Sequence, residues 1–510
     1  MSRFRPWRWT LASLRGARGV LAAGALVGCL SEPPAASGDE TVASRFAAAW
    51  RRGDCEAVLA NASDFVAVTD AALDTATVWA GSCLRRLDRP LDALLAVAAL
   101  ADAAPPRHAT PRALLERGRT LYAIGDFGGA HRELTRITDD FSRHSLRDDA
   151  LYYDGKALRR AGDLDGAESR FESALADPGS TTLRRAGAYY QLGLIASARG
   201  LAADAAAWFE QAILEDPTSA LAFRARVRIA TLPAVSGDCA GAESALTDLL
   251  SDEDDPASAN RLRLEHADLI RRCGEPDRAA PLYEALWAAS DDAGGVADDA
   301  GYALGRIAFG RARDADFADE PQDDVLYGEA RALFELLLAR FPDTAKASGA
   351  RLHLGRIFIE LRAYGAANVQ LALVLGDRAS GSWESALYHV SWAQYVKGDV
   401  VSLSAAVFGF DEVMALPGPS RFADDAAYYR ARALMRTGRN DAAMAGFVAL
   451  EADFPQSPFI DNAMFRMVVL SVSAGECSSA SGARDRLRLE HPTSPYLADA
   501  DAHVAACVSP

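Results

Sequence analysis

Seven cysteines are the residues of this 510-residue chain whose chemistry the spacing can decide. A thiol can be acylated, oxidised to a disulfide or recruited to a metal. Cys55, Cys239 and Cys477 each sit in one local pattern, Gly53-Asp54-Cys55, Gly237-Asp238-Cys239 and Gly475-Glu476-Cys477. Cys83, Cys273 and Cys507 follow 28, 34 and 30 residues later. If the first of each pair opens a helix and the second closes the next, antiparallel, helix, the two are neighbours. That favours Cys55–Cys83, Cys239–Cys273 and Cys477–Cys507 among the 15 pairings that six thiols allow. Six buried free cysteines are the alternative. A metal site is disfavoured, because no CxxC or paired His/Cys spacing is present. Disulfides imply an oxidising compartment.

The seventh cysteine differs. Arg3, Arg5, Arg8, Arg15 and Arg18 form a basic stretch without an acid, followed by an apolar run from Gly19 to Gly28. Ten residues are too few to span a bilayer. The run ends in Leu26-Val27-Gly28-Cys29, which resembles the lipobox of bacterial lipoproteins. The resemblance implies cleavage before Cys29 and diacylglycerol on its sulfur, so 1–29 is read as a leader. An ordinary cleaved leader that happens to hold a cysteine is the alternative. Residues 30–40, with Pro33, Pro34, Ser37 and Gly38, read as a tether. Leu30 rather than Asp follows the cysteine, which in familiar lipoprotein sorting implies an outer-membrane, periplasm-facing location.

No catalytic constellation emerges: there is no HExxH, no phosphate-cradling glycine loop and no G-x-S-x-G elbow. The eight histidines are scattered. The expectation is a non-enzyme with no cofactor and no metal. The net charge is −16, and removing the five leader arginines leaves 49 basic against 70 acidic residues, a net −21. Such a surface argues against nucleic acid and anionic membranes as partners. Acid concentrates at Asp252-Glu253-Asp254-Asp255 and in an insertion near 312–324. Neither has EF-hand spacing, so both read as solvated loops.

What must position these residues is a repeat. Gly125, Gly162, Gly200, Gly237 and Gly274 recur at intervals of 37, 38, 37 and 37, and Gly398, Gly438 and Gly475 resume the beat. A period of 20–50 residues marks a solenoid. Half the residues are apolar and no alternating pattern appears. The predicted fold is all-α: a right-handed α-solenoid of about 12 antiparallel helix pairs over 41–510, closed by a capping helix near 496–507.

The unit from Tyr189 to Pro217 carries Leu192, Gly193, Gly200, Ala205, Phe209 and Ala212 at spacings that resemble the tetratricopeptide repeat. Gly118 with Ala130, Gly155 with Phe171, Gly305 with Phe334, Gly355 with Ala367 and Ala443 with Phe447 keep parts of it. The tags Phe341-Pro342-Asp343, Phe454-Pro455-Gln456 and His491-Pro492-Thr493 are similar to those in outer-membrane barrel-assembly lipoproteins and the Tol-Pal accessory protein. The resemblance implies that the fifth and ninth positions of each first helix face a concave groove. Those positions hold Tyr152, Tyr190, Tyr302, Tyr388 and Tyr428, and Arg119, Lys156, Arg306, Arg356, Trp392 and Arg432. Tyr302, Arg306, Arg356, Tyr388, Trp392, Tyr395, Tyr428 and Arg432 then form the expected partner-binding stripe. Its ligand would be an extended peptide with carboxylates, from an envelope protein, or a glycan such as peptidoglycan. The other reading is that the tyrosines fill packing gaps and the cations pair with Asp149, Asp299 or Asp425.

Overall fold

Nine glycines adopt a left-handed backbone, with φ between 73° and 90°: Gly53, Gly125, Gly162, Gly200, Gly237, Gly274, Gly398, Gly438 and Gly475. Only glycine takes this conformation without a Cβ penalty. In five of these turns the next residue is Asp, which caps the helix that follows: Asp126 accepts from Gly129 N at 2.7 Å and Asp163 from Gly166 N at 2.9 Å. Gly-Asp is thus a complete stop-and-restart signal for one helical hairpin. Among the described residues one non-glycine shares this backbone: Arg362, at φ 56°.

The computed structural model describes residues 42–66, 70–87, 89–101, 110–289, 296–317, 323–378, 380–416 and 420–508. The leader, Cys29 and the tether lie outside the described residues. Among those described are 25 helices and no strand, which is twelve pairs and a last single helix. The chain divides at Leu249 and Leu250 into two compact units.

The first unit holds α1 (Val42–Arg52), α2 (Cys55–Val66), α3 (Asp70–Arg86), α4 (Pro90–Ala101), α5 (Pro111–Ala123), α6 (Phe127–Asp140), α7 (Arg147–Ala161), α8 (Leu164–Ala176), α9 (Thr182–Ala198), α10 (Ala202–Glu215), α11 (Ala220–Val235) and α12 (Cys239–Ser251). The second holds α13 (Pro256–Arg272), α14 (Pro276–Ala289), α15 (Ala297–Phe317), α16 (Asp323–Arg340), α17 (Ala347–Glu360), α18 (Tyr364–Leu375), α19 (Trp383–Lys397), α20 (Val400–Met414), α21 (Ala423–Arg436), α22 (Asn440–Asp453), α23 (Ile460–Ser473), α24 (Cys477–Glu490) and α25 (Leu497–Val508).

The second helix of a pair buries a stripe at i, i+4 and i+7. Ala130, Leu134 and Ile137 form it in α6, and Ala167, Phe171 and Ala174 in α8. It recurs as Ala205, Phe209 and Ala212 in α10, and as Ala330, Phe334 and Leu337 in α16. Every one of these side chains is inaccessible to solvent. Burying each large member contributes about 1.5–3 kcal/mol. The first helix admits them through glycine. A Cβ on Gly193 would lie 2.6 Å from the Phe209 ring, and Gly155 faces Phe171 and Gly305 faces Phe334 in the same way. Close approach of the two backbones therefore depends on that one missing methyl.

Of the expected insertion near 312–324, residues 318–322 lie outside the described residues, and helices flank them on both sides. Residues up to Phe317 continue α15 to 21 residues, and Asp323 and Asp324 open α16. Ala312 and Ala315 are buried on the α15 extension, so its apolar face keeps the extra turn helical. At the C-terminus α25 buries Ala500 and Val504, and Tyr496, just before it, stacks on Phe465 at 5.4 Å.

Candidate functional site

The first helices carry the expected stripe, and the second unit places its eight residues at different depths. Tyr388, Tyr395 and Tyr428 are core residues, only 8%, 7% and 1% exposed. Tyr302 and Trp392 are half-buried, as are Arg356 and Arg432, whereas Arg306 is exposed. The stripe is therefore cationic at its surface, with most of the aromatic material beneath it. This corrects the picture of solvent-facing tyrosines beside arginines.

The buried rings do a packing job between neighbouring pairs. Tyr388 stacks on Phe422 at 4.6 Å and 9°, and Tyr428 stacks on Phe459 with the same distance and angle. Phe422 and Phe459 each immediately precede the next pair's first helix. Tyr302 instead lies against Gly349 of the next first helix, and Tyr152 against Gly187. Position five thus joins one pair to the next, either ring on ring or ring on glycine. Trp392 packs edge-on against Tyr429 at 4.6 Å and Arg432 donates to the Tyr428 hydroxyl at 3.0 Å.

In the first unit the same face is largely self-satisfied. Arg119 donates to the Tyr153 hydroxyl at 2.7 Å. Lys156 lies over the rings of Tyr122, Tyr152 and Tyr153 at 4.9, 5.6 and 5.3 Å. Burial lowers its pKa, and Arg159, Arg184 and Arg119 lower it further. Arg184 pairs with Asp149. In the second unit Lys346 pairs with Asp299 at 2.5 Å. Asp149 and Asp299 therefore take cations, but from the segment that follows rather than from the ninth positions. Asp425 stays beside Tyr388, and burial with neighbouring Asp424 pushes its carboxyl up to about 6.

Arg306, Arg356 and Arg421 behave differently. Their guanidinium centres lie over the rings of Tyr302, Phe309 and Phe422 at 6.0, 4.8 and 4.6 Å. His353 lies among the rings, stacked on Phe334 at 5.0 Å and 5.2 Å from Phe309, with its Nδ1 buried and unbonded. Burial, then Arg356, Arg306 and His389, hold its pKa down to about 3. His389 donates Nδ1–H to Ser385 O at 2.6 Å. Its pKa is held down to about 4 by burial, with Arg356 and Arg421 adding to the effect. Both rings are neutral at pH 7. Neither histidine nor Arg421 belongs to the expected stripe. For His389 the signal was a doublet: Tyr152-Tyr153, Tyr388-His389 and Tyr428-Tyr429 repeat an aromatic pair at positions five and six, whereas His353 follows Leu352 and Arg421 lies outside the helices.

The structure brings the sulfurs of Cys55 and Cys83 together, with Cα atoms 5.0 Å apart, and those of Cys477 and Cys507, with Cα atoms 5.6 Å apart. Among the described residues no group of three His, Cys, Asp or Glu is placed to hold a metal. Among them no helix is long and apolar enough to cross a membrane.

Residues 115–181 and 155–220 match the family model of the tetratricopeptide repeat. That stretch carries tetratricopeptide repeats, and the whole described chain is an all-α repeat array. No curated protein sequence matches the chain. Among solved structures, a tetratricopeptide repeat protein from Parabacteroides merdae is similar at 16% identity and a TM-score of 0.39, covering 52% of this chain and 96% of its own. The human IFIT1 dimer with m7Gppp-AAAA is similar at 15% identity and a TM-score of 0.39, covering 85% and 90%. The anaphase-promoting complex hetero-tetramer Cut9-Hcn1 is similar at 11% identity and a TM-score of 0.36, covering 92% and 96%.

Proposed function

We propose that this chain is a non-catalytic scaffold, anchored to a bacterial outer membrane by acylated Cys29 and facing the periplasm. It would use the face of its first helices to hold partner proteins during envelope assembly or organisation. The observation that carries the binding face is electrostatic. A chain with 70 acidic residues leaves Arg306, Arg356 and Arg421 on one face without a carboxylate in ion-pair reach among the described residues. The Leu26-Val27-Gly28-Cys29 motif supports the anchor, and the paired cysteines, Cys239–Cys273 included, support the oxidising compartment. A peptidoglycan-binding role is less well supported, because glycan stacking needs exposed rings and Tyr388, Tyr395 and Tyr428 are buried.

Cys29→Ala should abolish labelling by a fatty-acid probe and release the protein from membranes; unchanged fractionation refutes the anchor. Crosslinking in intact envelopes followed by pull-down should recover specific envelope proteins. Recovery of nothing beyond background refutes the scaffold.

A further inference from the structure

We propose that Arg306, Arg356 and Arg421 form a ladder that reads the carboxylates of an acidic segment in a partner protein. The inference rests on the scaffold reading above and names the chemistry that its binding face selects. The three residues come from three different repeats: the ninth position of α15, the ninth position of α17, and the segment just before α21. Each guanidinium lies over an aromatic ring. The rings run on as Tyr302, His353 and Phe309, and again as His389, Phe422 and Tyr388. A guanidinium laid on a ring keeps its in-plane N–H groups free for a fork-like contact.

The local balance of charge points the same way. Arg356 is half-buried, and burial followed by Arg313 and Arg421 lowers its pKa; Glu360 and Tyr327 oppose them. Glu360 is itself pushed toward neutrality, by burial and by Asp316. Like charges gathered in a partly desolvated place destabilise the free protein. In the first unit, by contrast, Arg147, Arg185 and Arg199 each pair with an acid of the same unit. Acids are abundant in the composition, yet Glu360, which acts on Arg356 from the same helix, makes no ion pair with it. The two neutral histidines fit as well. They border the arginines with polar edges while adding no carboxylate that would compete with a ligand. An acidic peptide strand fits better than a sugar, because the exposed groups are cations and the rings lie beneath them.

The test is fluorescence anisotropy of fluorescein-labelled hexaglutamate on the full-length protein, with hexaglutamine as the matched neutral peptide. Hexaglutamate should bind and hexaglutamine should not, and binding should weaken as salt rises. Arg306→Gln, Arg356→Gln and Arg421→Gln should each weaken it about tenfold. Arg486→Gln, at an exposed ion pair with Glu451, should leave it unchanged. Arg356→Lys keeps the charge and the fold and should lose less than Arg356→Gln. Failure of hexaglutamate to bind, or equal binding by the triple Gln variant with its helicity intact, overturns the ladder. Tighter binding of an oligothymidylate of equal charge through the same three arginines also overturns it, in favour of a nucleic acid. If the triple variant still captures the crosslinked envelope partner as wild type does, the ladder fails while the scaffold stands. If wild type captures none, the scaffold itself fails.

Discussion

Truncating Tyr428 separates a packing role from a ligand role. The ring is 1% exposed, stacks on Phe459 at 4.6 Å and sits 6.1 Å from Phe447. A buried aromatic side chain removes about 150–250 Å² from water. At about 25 cal/mol per Å² that is about 4–6 kcal/mol, in line with the ~3–5 kcal/mol seen when large core rings become Ala. Tyr428→Phe keeps the ring and loses the hydroxyl, with its Arg432 hydrogen bond at 3.0 Å. Since Arg432 reaches solvent, that change should cost about 0.5–1.5 kcal/mol. A repeat array opens locally, so the loss should be confined to nearby helices. The assay is native-state hydrogen exchange read by mass spectrometry, with α7–α10 as the internal reference. For Tyr428→Ala, amides of α21–α23 should exchange about 100- to 3,000-fold faster, since about 1.4 kcal/mol is a factor of ten. For Tyr428→Phe the factor should be about tenfold or less. If Tyr428→Ala leaves protection at the wild-type level and abolishes only partner capture, Tyr428 is a ligand residue and the packing argument is wrong.

Gly193→Ala should destabilise α9–α10 by about 1–3 kcal/mol, because the new methyl meets the inaccessible Phe209 ring; a wild-type urea midpoint for those helices refutes it. Arg362→Gly should stabilise the α17–α18 hairpin by about 0.5–1 kcal/mol by relieving a left-handed φ of 56°, measured as slower exchange there. Three groups with large shifts should respond to acid above about pH 4. His353 and His389 are neutral when folded and titrate near 6.5 when unfolded, so each withdraws about 1.4 kcal/mol of stability per pH unit from about pH 6.5 down to about pH 4. Asp425, raised to about 6 when folded, has the opposite sign between about 6 and 3.8 and offsets one of them. Asp425→Asn should therefore steepen the acid loss between pH 6 and 4 about twofold, and an unchanged slope refutes the assignment. Non-reducing peptide mapping should give Cys55–Cys83, Cys239–Cys273 and Cys477–Cys507, and opening the last should cost about 3–4 kcal/mol; alkylation of all six thiols in native protein refutes the set.

The turns were legible because a left-handed φ admits few residue types. The glycine beat declared most of the hairpins from the sequence alone, and Arg362 shows what escapes such a rule. The faces were legible too, since a helical period puts positions five and nine on one side. Depth was not. A period cannot tell whether a ring faces solvent or lies under the next pair, and that is decided by Phe422 and Phe459, which sit outside the helices and carry no beat of their own. The arginines were read at Arg306 and Arg356 but missed at Arg421, for the same reason. The extra length of α15 was not legible because acids dominate the composition around it, while Ala312 and Ala315 quietly continue the buried side.

The cysteine pairs sit at a mechanically chosen place. Cys55 and Cys83 tie the first hairpin to the helix that follows it, and Cys477 and Cys507 tie the last hairpin to the final helix. In a repeat array each helix is held mainly by its neighbours, so a pair opens by losing its contacts with them. A disulfide between α2 and α3, or between α24 and α25, keeps the two helices joined after those contacts are lost. The stapled helices can separate from the rest of their unit but not from each other, and a short covalent leash returns them to register.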